Sequence, residues 1–402
     1  MIKFFRRSFM DVTFRSGDTL WHYSQLFYIP LVLIIDSNRG LDQDAIPVGT
    51  MVKIPGFSTI QYTIEQGDTL WKLARTYNLD IDALLLLNPH LHTMNIPIGT
   101  RLTIPKRITT PIIYTNKPYD FYSLQKDLQA LQHIYPFIQL SDIGKSVLNL
   151  PLYMLKLGRS SRKVQVNASF HGNEWITTAV LMKFLNDYLL ALTNSNSIKG
   201  IQALTLYFRS KLFSVPLVNP DGVNLVLNGP PQHLTDKLIQ LNDGKTDFSN
   251  WKANINGVDL NKQFPANWEI EKSRKPNQPG PRDFPGNIPI SEPETKAMAN
   301  FVETKNFERL ICLHTQGEEI YWGYEGLEPT ESEILAKDFE RVSGYQALQT
   351  IDSHAGYRDW FIQTFKKPGF TIELGKGTNP LPLSQFDQIA SETSNILVRA
   401  LV

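Results

Sequence analysis

The chain has 402 residues, 42% hydrophobic and 20% charged, with 25 Pro and 24 Gly, a composition of folded globular domains that excludes a fibre or a largely disordered chain. At about 150 residues per domain this length predicts two to three domains. Forty basic residues against 39 acidic ones leave a formal charge of +1, too little to gather polyanions by net charge, so nucleic acid is not an expected partner.

Residues 1–10 carry Lys3, Arg6 and Arg7 but no apolar run of signal-peptide length and no small-residue cleavage site. Export by a signal peptide is not expected, and the expected location is the cytoplasm, or the spore or cell wall. The apolar stretches 84–87 and 179–192 fall short of the ~20 residues of a membrane span, so none is expected. Cys312 is the single cysteine; it cannot form an intramolecular disulfide and reads as a core residue.

A repeat with a period of fifty residues comes first in the chain. Gly17-Asp18-Thr19-Leu20-Trp21 returns as Gly67-Asp68-Thr69-Leu70-Trp71, Asn38 as Asn88, and Ile46-Pro47-Val48-Gly49-Thr50 as Ile96-Pro97-Ile98-Gly99-Thr100. The second copy predicts a strand over 61–64, a helix over 70–77 capped by Asp68 or Thr69, a helix over 81–88 and a closing strand over 101–104, a small βααβ unit. Individually, Asp18 and Asp68 read as helix caps, and Trp21 and Trp71 as core aromatics.

These motifs resemble the lysin motif (LysM), a module that binds N-acetylglucosamine-containing glycan. The resemblance spans 11–56 and 60–106 and implies a sugar site between the turn Gly67, Asp68, Thr69, Leu70 and the loop Asn88, Pro89. The first copy departs from the pattern over 28–36, where Tyr-Ile-Pro-Leu-Val-Leu-Ile-Ile-Asp lacks a polar face.

Residues 107–117 break the periodicity and read as a linker. Residues 118–402 have the size of one large α/β domain. A helix with Leu124, Leu128, Leu131 and Ile134 on one face opens it, and strands then alternate with helices such as 176–192, which predicts a mostly parallel or mixed sheet with helices on both faces.

One strand pattern, 164–170, runs into His171-Gly172-Asn173-Glu174, and a second, 309–313, ends in His314. Two His and one Glu at strand ends form a catalytic zinc set with an open position, at the sheet edge where α/β folds place their sites. Ser291 and Glu294 have the spacing of a capping box, so Ser291-Glu-Pro-Glu-Thr295 reads as structural.

With Asn219-Pro-Asp-Gly222, Gly257-Val-Asp-Leu-Asn261, Gly356-Tyr-Arg-Asp-Trp360 and Phe370-Thr-Ile-Glu-Leu374, residues 118–402 resemble the zinc metallocarboxypeptidase family. The resemblance implies one Zn2+ on His171, Glu174 and His314, with Glu373 as the general base that activates water and protonates the leaving amine. It implies substrate contacts at Asn261, Lys262, Tyr357 and Lys376. The family's arginine beside the Asp-x-Asn segment is replaced by Lys262, and no arginine lies between Arg209 and Arg274, so Lys262 or Lys252 is the expected substitute charge.

The whole architecture, including His314-Thr-Gln-Gly-Glu-Glu319 and the glycines Gly375 and Gly377, is similar to bacterial γ-D-glutamyl-diamino acid endopeptidases. It implies cleavage between γ-D-glutamate and meso-diaminopimelate or lysine in peptidoglycan stem peptides, whose free carboxylates would pair with Lys262 or Lys376. Two other readings are a glycan-binding protein with an inactive peptidase-like domain and a zinc carboxypeptidase acting on small peptides.

Overall fold

The structure, a computed structural model, describes residues 10–91 and 96–402; residues 1–9, on which most of the N-terminal reading rests, lie outside it. The first repeat runs β1 (Asp11–Thr13), α1 (Leu20–Leu26), α2 (Leu31–Ser37), β2 (Met51–Lys53). The second runs β3 (Phe57–Thr63), α3 (Leu70–Thr76), α4 (Ile81–Leu87), β4 (Arg101–Arg107). Both are the expected βααβ units. Thr19 and Thr69 cap α1 and α3, accepting the backbone N–H groups of His22 and Lys72. Asp68 instead ties the preceding turn, accepting from Glu65 N–H at 3.0 Å and from the Tyr62 hydroxyl at 2.6 Å. Trp21 and Trp71 are 62% and 61% exposed, so they are surface aromatics rather than core ones.

The apolar helix of the first repeat is explained by what it packs against. Ile29, Leu33 and Ile34 are buried in the same core as Phe137, Leu155 and Tyr207 of the large domain. Asp36 accepts a hydrogen bond from the Tyr207 hydroxyl and pairs with Arg159 at 3.1 Å, so a polar face would have no water to meet. The segment 107–117 is pinned as well. Ile108 and Ile113 are buried, and the Ile108 N–H donates to Gly56 O at 2.9 Å. Gly56 sits at φ +76° with the Thr193 side chain 2.7 Å from where a Cβ would stand, an approach only glycine permits. Between the repeats, Arg15 grips Asp82 with two hydrogen bonds of 2.7 Å.

The large domain continues α5 (Phe121–Ile134), β5 (Gln139–Lys145), β6 (Pro151–Leu157), β7 (Lys163–Ala168), α6 (Ile176–Thr193), the short hairpin β8 (Ser197–Ile198) and β9 (Ile201–Gln202), and α7 (Ala203–Arg209). Then come β10 (Lys211–Val215), α8 (Pro220–Asn228), α9 (Thr235–Leu241), α10 (Trp268–Ser273), α11 (Pro293–Lys305), β11 (Arg309–His314) and β12 (Glu319–Tyr321). The chain ends with α12 (Thr330–Ser343), β13 (Gln346–Leu348), α13 (Tyr357–Phe365), β14 (Gly369–Glu373) and α14 (Phe386–Ala400).

Eight strands form one mixed sheet in the order β13-β12-β14-β11-β7-β10-β6-β5, with β14, β11, β7 and β10 parallel at its centre. Central β11 is buried on both faces. Ile311 and Leu313 enter the core shared with α6 and α14, while Leu310 and Cys312 enter a second core with Met298 and Phe301 of α11 and Trp360 and Phe361 of α13. By length and composition the stretch Gly172–Thr193, hydropathy 1.2, could cross a bilayer, but 83% of its most apolar 18-residue window is buried, so its apolar surface is spent on the sheet.

The proposed capping box does not form. Helix α11 starts after Glu292 with no side-chain cap; Ser291 Oγ donates to Gln263 Oε1 at 2.9 Å, and Glu294 is fully buried.

Candidate metal centre

Parallel register brings the site together. Strands β7, β11 and β14 end side by side, with Leu313 opposite Ala168 and His314 opposite Glu373. Beyond β7, Ser169 turns the chain at φ +51° and a 3-10 turn, Gly172–Glu174, follows His171. Gly172 lies against backbone; a Cβ there would stand 2.7 Å from Gly222 O and 2.9 Å from Trp251 O. Only glycine lets His171 and Glu174 lie this close to α8.

His171 Nδ1 lies 2.8 Å from Glu174 Oε1, His314 Nδ1 lies 3.0 Å from Glu174 Oε2, and the two Nδ1 atoms are 3.3 Å apart. One ligand atom from each residue lies within 4.8 Å of the others, and all three residues are buried. Behind His171, Nε2 lies 3.2 Å from Asp259 Oδ1, which also accepts from Asn261 N–H at 3.0 Å. With the His171 proton on Nε2 and donated to Asp259, Nδ1 is left as a free lone pair. Two imidazole nitrogens and a carboxylate that converge this closely can all turn lone pairs toward one cation. This donor set, with a carboxylate behind a ligating histidine, fits zinc.

Electrostatics point the same way. Burial opposes charge on Glu174, but the His171 and His314 imidazoles outweigh it and hold the carboxyl well below its usual range. Burial lowers the pKa of His314. For His171 burial acts the same way, but Glu174 and Asp259 reverse it and leave the pKa raised. Burial, then the nearby Glu174 charge, pushes Glu373 up to about 8, against the pull of His171 and Lys252. A divalent ion held by the three ligands would favour the charged form of Glu373.

The centre opens into a cleft of about 440 Å³ whose walls include Glu174, Lys252, Arg282, Tyr321 and Glu373. Lys252 sits 3.6 Å from Asp259 Oδ2; burial disfavours its charge, but Asp259 and Glu174 more than compensate, so it stays protonated. A larger cavity of about 1340 Å³ shares Asn250 and Arg282 with the cleft.

The other candidate substrate residues divide. Asn261 lines a small side cavity of about 90 Å³ that also contains Glu373, and its Oδ1 accepts Tyr357 N–H at 3.0 Å. Tyr357 does not reach the cleft. It is fully buried, its hydroxyl donating to Gln165 at 2.9 Å, because α13 turns this face into the core. Lys262 is withdrawn too, bound to Glu271 at 2.5 Å and Ser353 at 2.7 Å. Lys376 pairs with Glu318 at 2.5 Å and lines neither the cleft, the larger cavity nor the side cavity. The absence of arginine from 210–273 is offset in three dimensions. Lys252 faces the cleft from within that stretch, Arg282 joins it from beyond, and Arg358 lines the side cavity.

In the second repeat, Leu70 is core and Asn88 is spent on the fold, donating to Leu84 O and Thr103 O and accepting from Thr103 N–H at 2.8 Å. Thr69 is committed to its cap and Asp68 to its turn. Gly67 and Pro89 are exposed, Gly67 at φ +83°.

A family model described as zinc carboxypeptidase matches residues 124–396, and one described as LysM domain matches 12–55 and 62–105. The chain is 55% identical over 394 residues to the Gamma-D-glutamyl-L-diamino acid endopeptidase 1 of Lysinibacillus sphaericus, covering 98% of this chain and 100% of that one. It is 50% identical to an uncharacterized Bacillus subtilis (strain 168) protein, over 72% of this chain and 78% of that one. Among solved structures, thrombin activatable fibrinolysis inhibitor superposes with a TM-score of 0.58 at 18% identity, covering 76% of this chain and 88% of the other, a likeness of fold. With the zinc-ligand geometry at the strand ends, these matches establish that the chain belongs to the zinc carboxypeptidase family, as a zinc metallopeptidase that carries two LysM domains ahead of the peptidase domain.

Proposed function

We propose that the protein is a peptidoglycan endopeptidase with one zinc ion per chain, held by His171, Glu174 and His314. It hydrolyses the bond between γ-D-glutamate and the diamino acid, meso-diaminopimelate or lysine, of stem peptides. The observation that carries this reading is the convergence of the three ligand atoms within 4.8 Å, with Glu373 adjacent in register to His314. The printed activity of the Lysinibacillus sphaericus relative supports the choice of bond.

When bound, zinc supplies a Lewis acid and lowers the pKa of a water at the centre to about 7. Glu373 takes the proton from the attacking water and passes it to the leaving amine. Lys252 faces the cleft as a buried cation where negative charge develops on the scissile carbonyl oxygen. Asp259 holds His171 in the tautomer that leaves Nδ1 free. The LysM domains bring the enzyme to N-acetylglucosamine-containing glycan and raise its concentration near the stem peptides.

The test is digestion of L-Ala-γ-D-Glu-meso-diaminopimelate with mass analysis of the products. Release of free diaminopimelate, abolished by a chelator and reduced at least roughly a hundredfold in Glu373→Gln with zinc content retained, is the expected outcome. An intact tripeptide under zinc-replete conditions refutes the reading.

A further inference from the structure

We propose that the cationic cavity at the seam between the first repeat and the large domain is a phosphate-binding site. Its ligand is the phosphodiester backbone of an anionic wall polymer, which gives the enzyme a hold on the wall separate from its LysM domains. The wall as source of the ligand rests on the function proposed above; the phosphate chemistry does not.

The cavity has a volume of about 510 Å³ and is lined by Arg39 of the first repeat and by Lys156, Arg159 and Lys211 of the large domain, with Asp36 as its one acid. Lys156, near the end of β6, stands opposite Phe213 of β10, and Lys211 opens β10. Between Lys156 and Arg159, Gly158 lies at φ +103°, where a Cβ would run into the Ser210 carbonyl oxygen, so only glycine lets the end of β6 come this close to the start of β10. Arg39 is held against the large domain by its Nη2, which donates to Phe137 O at 2.7 Å.

These charges are not balanced from within. Asp36 is shared between Arg159 at 3.1 Å and Arg39 at 3.6 Å and also accepts from the Tyr207 hydroxyl. Lys156 and Lys211 have no ion pair among the described residues, so the lining carries four cations against one anion. Burial, then the charges of Lys211, Arg39 and Lys305, lowers the Lys156 pKa, a strain that a bound anion relieves. Two guanidinium and two ammonium groups around one cavity suit an oxyanion whose charge repeats along a chain, as in a phosphodiester; a single carboxylate leaves most of them unmet.

The cavity is remote from the chemistry. Strands β7 and β10 run parallel from Lys163 opposite Lys211, and His171 and Glu174 follow the other end of β7. The six residues of β7 span roughly 20 Å, so a polymer held at their starting end leaves the cleft open and acts as an anchor.

The experiment is calorimetric titration of the zinc-loaded full chain, wild type and Lys156→Gln/Lys211→Gln, with inorganic phosphate, poly(glycerol phosphate), poly-L-glutamate and duplex DNA. Each polymer is titrated over a range of salt, beside kinetics on soluble L-Ala-γ-D-Glu-meso-diaminopimelate. We expect poly(glycerol phosphate) to bind the wild type with an affinity that falls linearly in log–log form with salt. The double variant should lose at least roughly tenfold in affinity and about two from that slope, with tripeptide cleavage unchanged. Equal affinity in wild type and variant overturns the inference, and so does poly-L-glutamate or duplex DNA binding as tightly as poly(glycerol phosphate). Phosphate binding that the variant loses, with no binding of the polymer, overturns the wall source. If the double variant does not fold by circular dichroism, Lys211→Gln alone decides, with an expected slope change of about one. A wild type that binds the polymer and leaves the tripeptide intact refutes the functional reading and supports the phosphate site.

Discussion

Asp259→Asn tests whether the site is built around a cation, because Asp259 never touches the metal position. Its Oδ1 lies 3.2 Å from His171 Nε2 and also accepts Asn261 N–H, and its Oδ2 faces Lys252 at 3.6 Å. An amide of the same shape can still accept from Asn261 or from His171, so the loop survives. The negative charge that makes Nδ1 a better donor is lost, and Lys252 gains a freer positive charge facing the same centre. A carboxylate behind a ligating histidine is worth about tenfold to a hundredfold in metal affinity, which corresponds to roughly 1.4–2.7 kcal/mol. Competition against a chromophoric chelator at pH 7.5 reads the zinc Kd directly, with circular dichroism of the metal-free proteins as the control for folding. Zinc affinity within twofold of wild type in a folded Asp259→Asn protein refutes the reasoning, since His171 would then not rely on Asp259 for its tautomer. Asp259→Ala is expected to cost more, because it leaves both His171 Nε2 and the Lys252 ammonium without a buried partner.

Two further outcomes follow from burial. Asp36→Ala in the first repeat should lower the stability of the folded chain by about 1–3 kcal/mol, because it strips the buried Tyr207 hydroxyl of its acceptor, and so shift the loss of peptidase activity to lower urea; an unchanged urea midpoint would show that the repeat is not part of the catalytic core. Burial pushes Glu294 up to about 8 from 4.5, so the folded chain prefers the neutral acid. The associated cost is absent below the unfolded value, grows as pH rises through the window from 4.5 to about 8, and reaches at most roughly 5 kcal/mol. Glu294→Gln should therefore match wild type near pH 4.5 and exceed it near pH 8 in denaturant titrations, and equal slopes against pH would refute this.

Local chemistry made much of this protein legible in one dimension. A fifty-residue repeat, threonine caps and Ile-Pro-x-Gly endings act within a few residues of themselves, so the two βααβ units could be read directly. His171, Glu174 and His314 could be read as a set because a strand ending in a ligand leaves few places for it to point. What could not be read depended on partners far along the chain. Lys262 looks like a substrate cation until Glu271 claims it, and Tyr357 like a cleft residue until α13 turns it toward Gln165. Trp21 and Trp71 look like core residues until the packing leaves them in water.

Periodicity, capping and motif spacing thus determined the α/β class and the paired modules, because each is set by short-range backbone geometry. Only the tertiary structure decided which cations face the cleft, that the apolar helix of the first repeat is buried against the large domain, and that Arg358 and Asp359 stand together beside Glu373. Burial and charge pairing are properties of neighbours in space, and the sheet brings together residues that the chain keeps far apart.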